Sequence, residues 1–238
     1  MKIAALHINC DLGEGMANEA AIFPYIDACN LACGGHFGTK GTLAKSMQQA
    51  LKHRVVCGAH PSYPDLENFG RQSLSMEKEA FVKSVQDQMA LFMDVFQDYF
   101  PGQKLPHIKA HGALYNDLCT NKTLASWFIE AIAPFKPQAI FTLSHGVLAS
   151  LAAAKDYKIV KEAFLDRAYT TDGFLKPRSQ SGSVLETAQA VLHQLPSLVK
   201  KGANTFCIHG DQPNSLDILK QIRPMNLWKN RSVLNFLD

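Results

Sequence analysis

Short apolar runs alternate with longer amphipathic stretches along the chain, and this pattern predicts repeated β–α units. The clearest helix starts near Met76, because Phe81, Val85, Met89 and Phe92 recur at spacings of three and four. The strand-like segments are Ile3–Ile8, Leu31–Cys33, Val55–Cys57, His107–Lys109, Gln138–Leu143, Ile159–Phe164 and Thr205–Ile208. The helix-like stretches are 18–28, 41–53, 76–99, 121–133, 146–155, 183–200 and 214–222.

Seven such units predict a parallel sheet, either an open doubly wound sheet or a closed barrel. Polar residues follow nearly every strand, in the segments Asn9–Asp11, Cys33–His36, Cys57–His60, Lys109–His111, Ser144–His145, Asp166–Arg167 and His209–Asp211. In a barrel these strand ends meet at one mouth, whereas in an open sheet they are spread along an edge. We therefore predict an α/β fold, a seven-stranded β/α (TIM-like) barrel, as a single domain over residues 1–238.

Composition narrows the class of protein. The 238 residues are 47% hydrophobic and 19% charged, which excludes a disordered chain. The net charge is only +3 and no basic run occurs, so neither nucleic acid nor an anionic membrane is an expected partner. The most apolar window, residues 139–154, is shorter than a membrane span, and no secretory signal is recognisable. We expect a cytoplasmic protein with six reduced cysteines.

Histidine supplies the most conspicuous candidate chemistry. Five of the nine histidines, namely His36, His60, His111, His145 and His209, fall just after predicted strands. Imidazole titrates near neutral pH and can act as acid, base or metal ligand. A single histidine is as readily a structural residue, but five at one expected face favour a functional site.

Carboxylates and cations fall in the same loops. Asp11 and Glu14 follow the first strand, and Asp211 lies beside His209. Lys109 and Arg167 are candidates for stabilising developing negative charge. The alternative is that Asp11–Lys109 and Asp166–Arg167 are structural ion pairs.

Two further features leave alternatives open. The turn-rich loop from His60 to Ser75 is either a connector or a lid that brings Arg71 to an anionic group. Cys33 and Cys57 lie near histidines, which leaves a thiol nucleophile open, although small core residues are the better interpretation.

A metal site is weakly indicated. Asp11, His60 and His111 would suit Zn²⁺ or Mn²⁺, yet no His-x-x-x-His or Cys-x-x-Cys spacing occurs. No tightly bound metal is therefore assigned, and these three residues are the expected ligands if one is present. The chain also lacks a phosphate-binding loop, a dinucleotide fingerprint and a serine nucleophile elbow.

Taken in order, these segments resemble the LamB/YcsF family, which includes the A chain of bacterial 5-oxoprolinase. The matching segments are Asn9–Gly15, Asn30–Gly34 with His36, Gly58–Asp65 with Phe69–Arg71, His111–Asn116, Asp166–Tyr169 with Asp172–Gly173, Pro177–Arg178, and His209–Asp211. They cover almost the whole chain, and together they are highly specific.

The resemblance implies a seven-stranded barrel of the glycoside hydrolase/deacetylase type and ATP-dependent hydrolysis of the 5-oxoproline lactam to L-glutamate. It also implies ATP as cosubstrate, with Mg²⁺, and partner subunits B and C. Phosphorylating the lactam oxygen would create an activated imidate that water can attack. As a hypothesis, Asp11 or His60 activates that water, and His111 or His209 protonates the leaving nitrogen.

In the same hypothesis Lys109 and Arg167 hold phosphate or oxyanion charge. The expected substrate-binding residues are Asn9, Glu14, His36, Arg71, Tyr115, Asp172 and Asp211.

The chain departs from the family pattern in the 33–40 loop, where Thr39 stands in place of an aspartate, and at Ala110 and Gln72. These changes keep two other functions open. One is a stand-alone metal-dependent deacetylase or amidohydrolase, and the other is a non-catalytic barrel that binds substrate. A homodimer is also left open.

Overall fold

A computed structural model describes residues 6–223 and contains one parallel sheet. Its strands are β1 (Ile8–Leu12), β2 (Ala28–Ala32), β3 (Val56–His60), β4 (Ala139–Thr142), β5 (Lys158–Phe164) and β6 (Thr205–Cys207). The strands lie in the order β3-β2-β1-β6-β5-β4, and every pairing is parallel. The helices are α1 (Glu19–Ile22), α2 (Lys40–His53), α3 (Lys78–Tyr99), α4 (Gly112–Thr120), α5 (Lys122–Ile132), α6 (Val147–Ala153), α7 (Ala188–Lys200) and α8 (Ser215–Ile222).

The α/β class is confirmed, but the expectation of seven strands is not. The segment His107–Lys109 forms no strand; instead Ile108 makes isolated parallel bridges to Ala59 of β3 and to Ile140 of β4. The N–H of Ala59 donates to the carbonyl of His107 at 3.1 Å, and the N–H of Ile108 donates to the carbonyl of Ala139 at 3.0 Å. The six-stranded sheet is therefore curled, and this short segment touches both of its edges.

The limits of the first three strands differ from those that the apolar runs predict. The expected strand Ile3–Ile8 is wrong: β1 begins at Ile8, and residues 3–5 lie outside the described range. The first strand thus includes Asn9 and Asp11, which alternate to one face while their apolar neighbours face the helices. Likewise β2 begins at Ala28 and β3 ends at His60, so His60 belongs to its strand rather than following it.

The long helix α3 and the shorter helices α2, α5, α6 and α8 lie within two residues of their predicted limits, and the other predictions are less accurate. Helix α3 buries Phe81, Val85, Met89 and Phe92 and packs against α2 and α5. The expected helix 18–28 is only one α-helical turn followed by the 3-10 turn Phe23–Tyr25, and the chain then enters β2. Helix α7 starts at 188 rather than 183, and α4 was not predicted.

Polar side chains fill the concave face of the sheet instead of apolar ones. Asn30 Nδ2 donates to Asn9 Oδ1 at 2.8 Å, and His107 Nε2 donates to Asn30 Oδ1 at 2.8 Å. Asn9 Nδ2 donates in turn to Thr205 Oγ1 at 2.8 Å. Each of these buried side chains is thereby hydrogen-bonded, which keeps this network from destabilising the core. Among residues 6–223, no helix is both long and apolar enough to cross a bilayer.

Candidate active site

A cavity of about 490 Å³ opens at the carboxyl ends of the strands, the face where barrel enzymes have their chemistry. Its lining includes seven of the candidate residues, which come from distant parts of the chain: Asp11, Arg71, Lys109, His111, Tyr115, Arg167 and His209. The sequence predicted that polar strand ends converge on one mouth, and these residues do line one cavity.

The buried Lys109 ammonium lies between two carboxylates. Its Nζ is 2.9 Å from Asp11 Oδ1 and 2.9 Å from Glu162 Oε1, and it is 3.1 Å from Cys207 Sγ. Asn30 Nδ2 also donates to Asp11 Oδ1, at 2.8 Å. This ion pair between Asp11 and Lys109 is one of the two that the sequence offered as a structural alternative, and it sits on the cavity wall.

Electrostatics keep Asp11 and Lys109 ionised. Burial alone would raise the pKa of the Asp11 carboxyl, but His60 and Lys109 hold it well below its usual range. Burial would likewise lower the pKa of Lys109, but Asp11, Cys207 and Glu162 hold it well above its usual range. Near neutral pH the site thus presents a carboxylate with no proton and an ammonium with all of its protons.

Sequence reasoning missed Glu162. Two adjacent strand residues point to opposite faces, so the exposed Lys161 places Glu162 on the concave face with Val160 and Phe164. The available signal was a charged residue at a strand position that alternates in step with apolar, inward-facing residues. Arg178 was also missed as a site residue, although it stood in the matched Pro177–Arg178 segment.

A second group of side chains brings Glu14 together with His36, His60 and His111, all buried. His36 Nε2 is 3.1 Å from Glu14 Oε1, and His111 Nδ1 is 3.4 Å from the same oxygen. His111 Nδ1 is also 3.0 Å from His60 Nε2, which in turn lies 3.3 Å from Asp11 Oδ2. The three residues expected as ligands if a metal is present, Asp11, His60 and His111, therefore lie together. Glu14 and His36 are further donors beside them.

These residues shift one another's protonation. Burial raises the pKa of the Glu14 carboxyl well above its usual range, and the charge of Asp11 raises it further. Burial lowers the pKa of His36 and of His111 well below the usual range. The group combines three imidazoles with a carboxyl, the ligand types that suit zinc and similar divalent metals.

His209 is held by Asp166 rather than by a cation. Its Nδ1 donates to the carboxylate of Asp166, at 3.0 Å from each oxygen, and its backbone N–H donates to Asp166 Oδ2 at 2.8 Å. Burial would raise the pKa of Asp166, but His209 keeps it below its usual range. The expected structural pair of Asp166 with Arg167 is wrong: among residues 6–223 the ion-pair partner of Asp166 is His209.

Three guanidinium groups line the cavity. Arg71 and Arg178 both pair with Asp211, and Arg178 Nη1 donates to Asp211 Oδ2 at 3.0 Å. Arg71 reaches the cavity from the loop after β3. Buried Arg167 instead donates to the backbone carbonyls of Ser183 and Lys176, and within residues 6–223 it has no carboxylate within ion-pair distance.

Several candidates lie elsewhere. Asp172 is exposed and, with His145 and Glu162, lines another cavity of about 420 Å³, whereas Asp11 and His209 line the cavity described above. Asn9 belongs to the buried network of the concave face. Thr39 is the N-cap of α2, where its hydroxyl accepts from the N–H of Thr42, so its side chain serves the helix.

The cysteines are poor nucleophiles. All six are free and buried. Burial raises the pKa of the Cys33 thiol to about 12, and burial with Asp11 raises that of Cys207 well above its usual range. Because the thiolate is the reactive form, a Cys33 nucleophile is disfavoured.

Comparison with known proteins gives consistent matches over nearly the full length. The model of the LamB/YcsF family matches residues 6–236. A protein of Vibrio cholerae named as the A chain of 5-oxoprolinase is 32% identical over 249 aligned positions, covering 94% of this chain and 98% of that protein. A Bordetella pertussis protein of the same name is 33% identical and covers 92% and 94%. The crystal structure of a lactam utilization protein from Thermus thermophilus superposes with a TM-score of 0.81 at 30% identity, covering 92% and 94% of the two chains.

Proposed function

The chain belongs to the LamB/YcsF family, and from that premise we propose that it hydrolyses the lactam bond of 5-oxoproline to give L-glutamate, as the A chain of an ATP-dependent 5-oxoprolinase. Relatives that carry this name are about one-third identical over nearly the whole chain. The substrate is a small anion with a stable cyclic amide. It requires a site that binds a carboxylate, activates water, stabilises an oxyanion and protonates a nitrogen.

The observation that carries the proposal is the positive charge of Arg167 on the cavity wall. Among the described residues, no carboxylate forms an ion pair with it. Burial lowers the pKa of this guanidinium to about 10, and the charge of Arg178 contributes, so Arg167 is still a cation at neutral pH. A buried charge whose hydrogen bonds go only to carbonyls attracts an anionic ligand. The carboxylate of 5-oxoproline, or a phosphate on its lactam oxygen, would complete that pairing.

In this mechanism Asp11 is the base that activates water. It lines the cavity and carries no proton near neutral pH. His60 was the other candidate, but its Nδ1 donates to the Lys109 carbonyl at 2.8 Å and its Nε2 faces His111 and Asp11. His60 therefore orients Asp11. Lys109 stabilises the negative charge of the phosphorylated tetrahedral intermediate that forms when water adds to the activated lactam carbon. Breaking the C–N bond of this intermediate leaves an acyl phosphate of glutamate, which a second water hydrolyses to L-glutamate and phosphate.

His209 is the better candidate than His111 for the acid that protonates the leaving nitrogen. Both ring nitrogens of His111 are engaged, one by His60 and the other by the carbonyl of Phe69 at 3.0 Å. In His209 the Asp166 carboxylate holds Nδ1, which leaves Nε2 as the nitrogen that can carry a proton to substrate. When the C–N bond breaks, this proton converts the ring nitrogen into the amine of glutamate.

We include in the proposal the use of ATP, with Mg²⁺, and partner subunits B and C. The absence of a phosphate-binding loop supports an arrangement in which partners complete the ATP chemistry. We also propose that the strands and the Ile108 segment act as a seven-membered barrel, since that segment bonds to both sheet edges. The six buried, free thiols support a reducing, cytoplasmic location.

A stand-alone metal-dependent amidohydrolase is the second candidate, favoured by the histidine cluster around Glu14. The two functions differ in their need for ATP and partners. The test is glutamate release from 5-oxoproline by this chain alone and with the B and C partners, each with and without ATP. Release that requires ATP and all three chains supports the proposal. Release by this chain alone, without ATP, replaces it with the second candidate, and no release from folded protein in any combination rejects both for this substrate.

A further inference from the structure

Two ring nitrogens in the histidine cluster face each other at hydrogen-bond distance. The Nδ1 of His60 lies 2.8 Å from the carbonyl of Lys109, so it must carry the hydrogen that it donates. The Nε2 of His111 lies 3.0 Å from the carbonyl of Phe69 and must also be a donor. In neutral rings this leaves His60 Nε2 and His111 Nδ1 as lone pairs, and these atoms are 3.0 Å apart. A proton on His60 Nε2 would bridge these two atoms, and a metal ion placed between them and Glu14 would be coordinated by both lone pairs.

A carboxylate and a third imidazole point at the same place. Glu14 Oε1 is 3.4 Å from His111 Nδ1 and 3.1 Å from His36 Nε2. Tetrahedral coordination with metal–nitrogen bonds of about 2.0–2.1 Å places the ligand atoms about 3.3–3.4 Å apart. Three of the separations, at 3.0, 3.1 and 3.4 Å, are close to that spacing, and all four donor atoms lie within 4.8 Å of one another.

We propose that Glu14, His36, His60 and His111 bind a divalent cation of the zinc class at the edge of the cavity. Hydrogen bonds from the outer ring nitrogen to a backbone carbonyl are the usual support of metal-binding histidines, and both His60 and His111 have one. The donor set is three imidazoles and one carboxylate, which zinc prefers. The site rests on this geometry and not on the lactam reaction.

This donor set differs from the one that the sequence offered. Asp11 gives way to Glu14 because Asp11 Oδ1 is already bonded to Lys109 and Asn30, although Asp11 Oδ2 remains 3.3 Å from His60 Nε2. His36 Nδ1 has no hydrogen-bond partner within residues 6–223, and its Nε2 faces Glu14 Oε1 at 3.1 Å. The nitrogen that faces the proposed site is therefore Nε2, which would coordinate the ion beside Glu14.

The backbone that aims His111 is held in an uncommon conformation. Phe69, whose carbonyl accepts from His111, has φ 55°, and Gly70 follows with φ 63°. A left-handed conformation at a residue with a side chain costs free energy and is concentrated at functional sites. A Cβ at Gly70 would lie 2.9 Å from His36 Cβ and 3.1 Å from His111 Cδ2, so this turn also packs directly on two of the proposed ligands.

The test is metal binding by the full chain, purified without chelator. We expect about one Zn²⁺ per chain by elemental analysis, and after chelator stripping we expect Zn²⁺ to bind again in competition with a chelating dye. Glu14→Gln, His60→Gln and His111→Gln should each weaken Zn²⁺ binding by about 100-fold or more, since even outer support residues contribute about 10- to 100-fold. His36→Gln should weaken it less. His145→Gln is the matched control, because that histidine lines the other cavity, and it should bind like wild type.

Wild-type protein keeps the test informative if a variant does not fold. Zn²⁺ should raise the Tm of the stripped chain with increasing concentration, as expected for a ligand that binds the native state. A folded wild-type chain that neither retains nor rebinds Zn²⁺, Mn²⁺, Co²⁺ or Ni²⁺ overturns the site. So does a loss of binding in His145→Gln equal to that in the ligand variants. Metal binding without lactam hydrolysis rejects only the proposed function, and hydrolysis by a chain that binds none of these metals rejects only this site.

Discussion

Nζ of Lys109 lies 2.9 Å from Oε1 of Glu162, and both side chains are buried. Oδ1 of Asp11 also lies 2.9 Å from this Nζ. Two carboxylates therefore share one cation in a place that water barely reaches. Such a group is stable only while the cation is present, because a buried carboxylate without a partner loses its hydration and receives nothing in return.

Lys109→Met should therefore destabilise the fold by about 3–5 kcal/mol, the usual cost of removing one partner from a buried ion pair. Urea unfolding near neutral pH measures this change. The control is Lys83→Met, which breaks an exposed pair with Asp87 and should cost about 0.5 kcal/mol or less. Adding Glu162→Gln to Lys109→Met should restore part of the loss. Equal stability of the two single variants would contradict the charge argument.

Asp166→Asn should lower kcat for lactam hydrolysis by about 10²- to 10⁴-fold, with a smaller change in KM. The carboxylate that orients His209 and stabilises its protonated form is lost, while the shape of the site is kept. Steady-state glutamate release measures both constants. Gln212→Met removes a donor to the same carboxylate and should reduce kcat by less than about tenfold. An effect on KM alone would show that His209 binds substrate and is not the acid.

Arg167→Met should raise KM for 5-oxoproline by about 10- to 100-fold, the equivalent of a hydrogen bond to a charged group of about 1.5–3 kcal/mol. The reason is that this guanidinium has no carboxylate partner of its own among the described residues. Arg54→Met is the matched control, because Arg54 is exposed and precedes β3, at the end of the strand away from the cavity. This variant should leave KM unchanged. An unchanged KM in Arg167→Met would assign substrate binding to Arg71 or Arg178 instead.

Acid should destabilise the protein through the buried neutral His107. Burial lowers its pKa from 6.5 to about 3, and the charges of His7 and Lys109 act in the same direction. Below pH 6.5 the unfolded chain takes up a proton that the folded chain refuses, so stability falls as the pH falls from about 6.5 towards 3. At about pH 5 this single group should cost about 2 kcal/mol relative to about pH 7.

Urea unfolding of His107→Gln at the two pH values measures that contribution. The variant should lose about 2 kcal/mol less than wild type between about pH 7 and about pH 5, because glutamine does not titrate. Phe141→Leu is the control: it removes the ring that stacks on His107 at 4.0 Å but keeps the titrating group. It should lower stability at both pH values by a similar amount. An identical pH dependence in wild type and His107→Gln would contradict a buried neutral His107.

The sequence by itself determined the α/β class, the long helix α3 and the convergence of polar residues on one mouth. These features follow from local periodicity and from the rule that parallel strands end on the same face, so they need no knowledge of distant contacts. The sequence also indicated the family, because the family motifs lie in the loops that follow the strands. The strand limits were less accurate, since Asn9, Asp11 and His60 are polar residues inside strands of a polar concave face.

The tertiary structure alone decided which of the converging side chains meet. Asp11 and Lys109 are 98 positions apart, and Asp166 and His209 are 43 apart, so their pairing depends on the register and curl of the sheet. The strand pattern of β5 could place Glu162 on the inner face, but only the folded chain brings it against Lys109. The inner nitrogens of His60 and His111 likewise face each other because carbonyls of other segments, which only the folded chain brings there, hold their outer nitrogens.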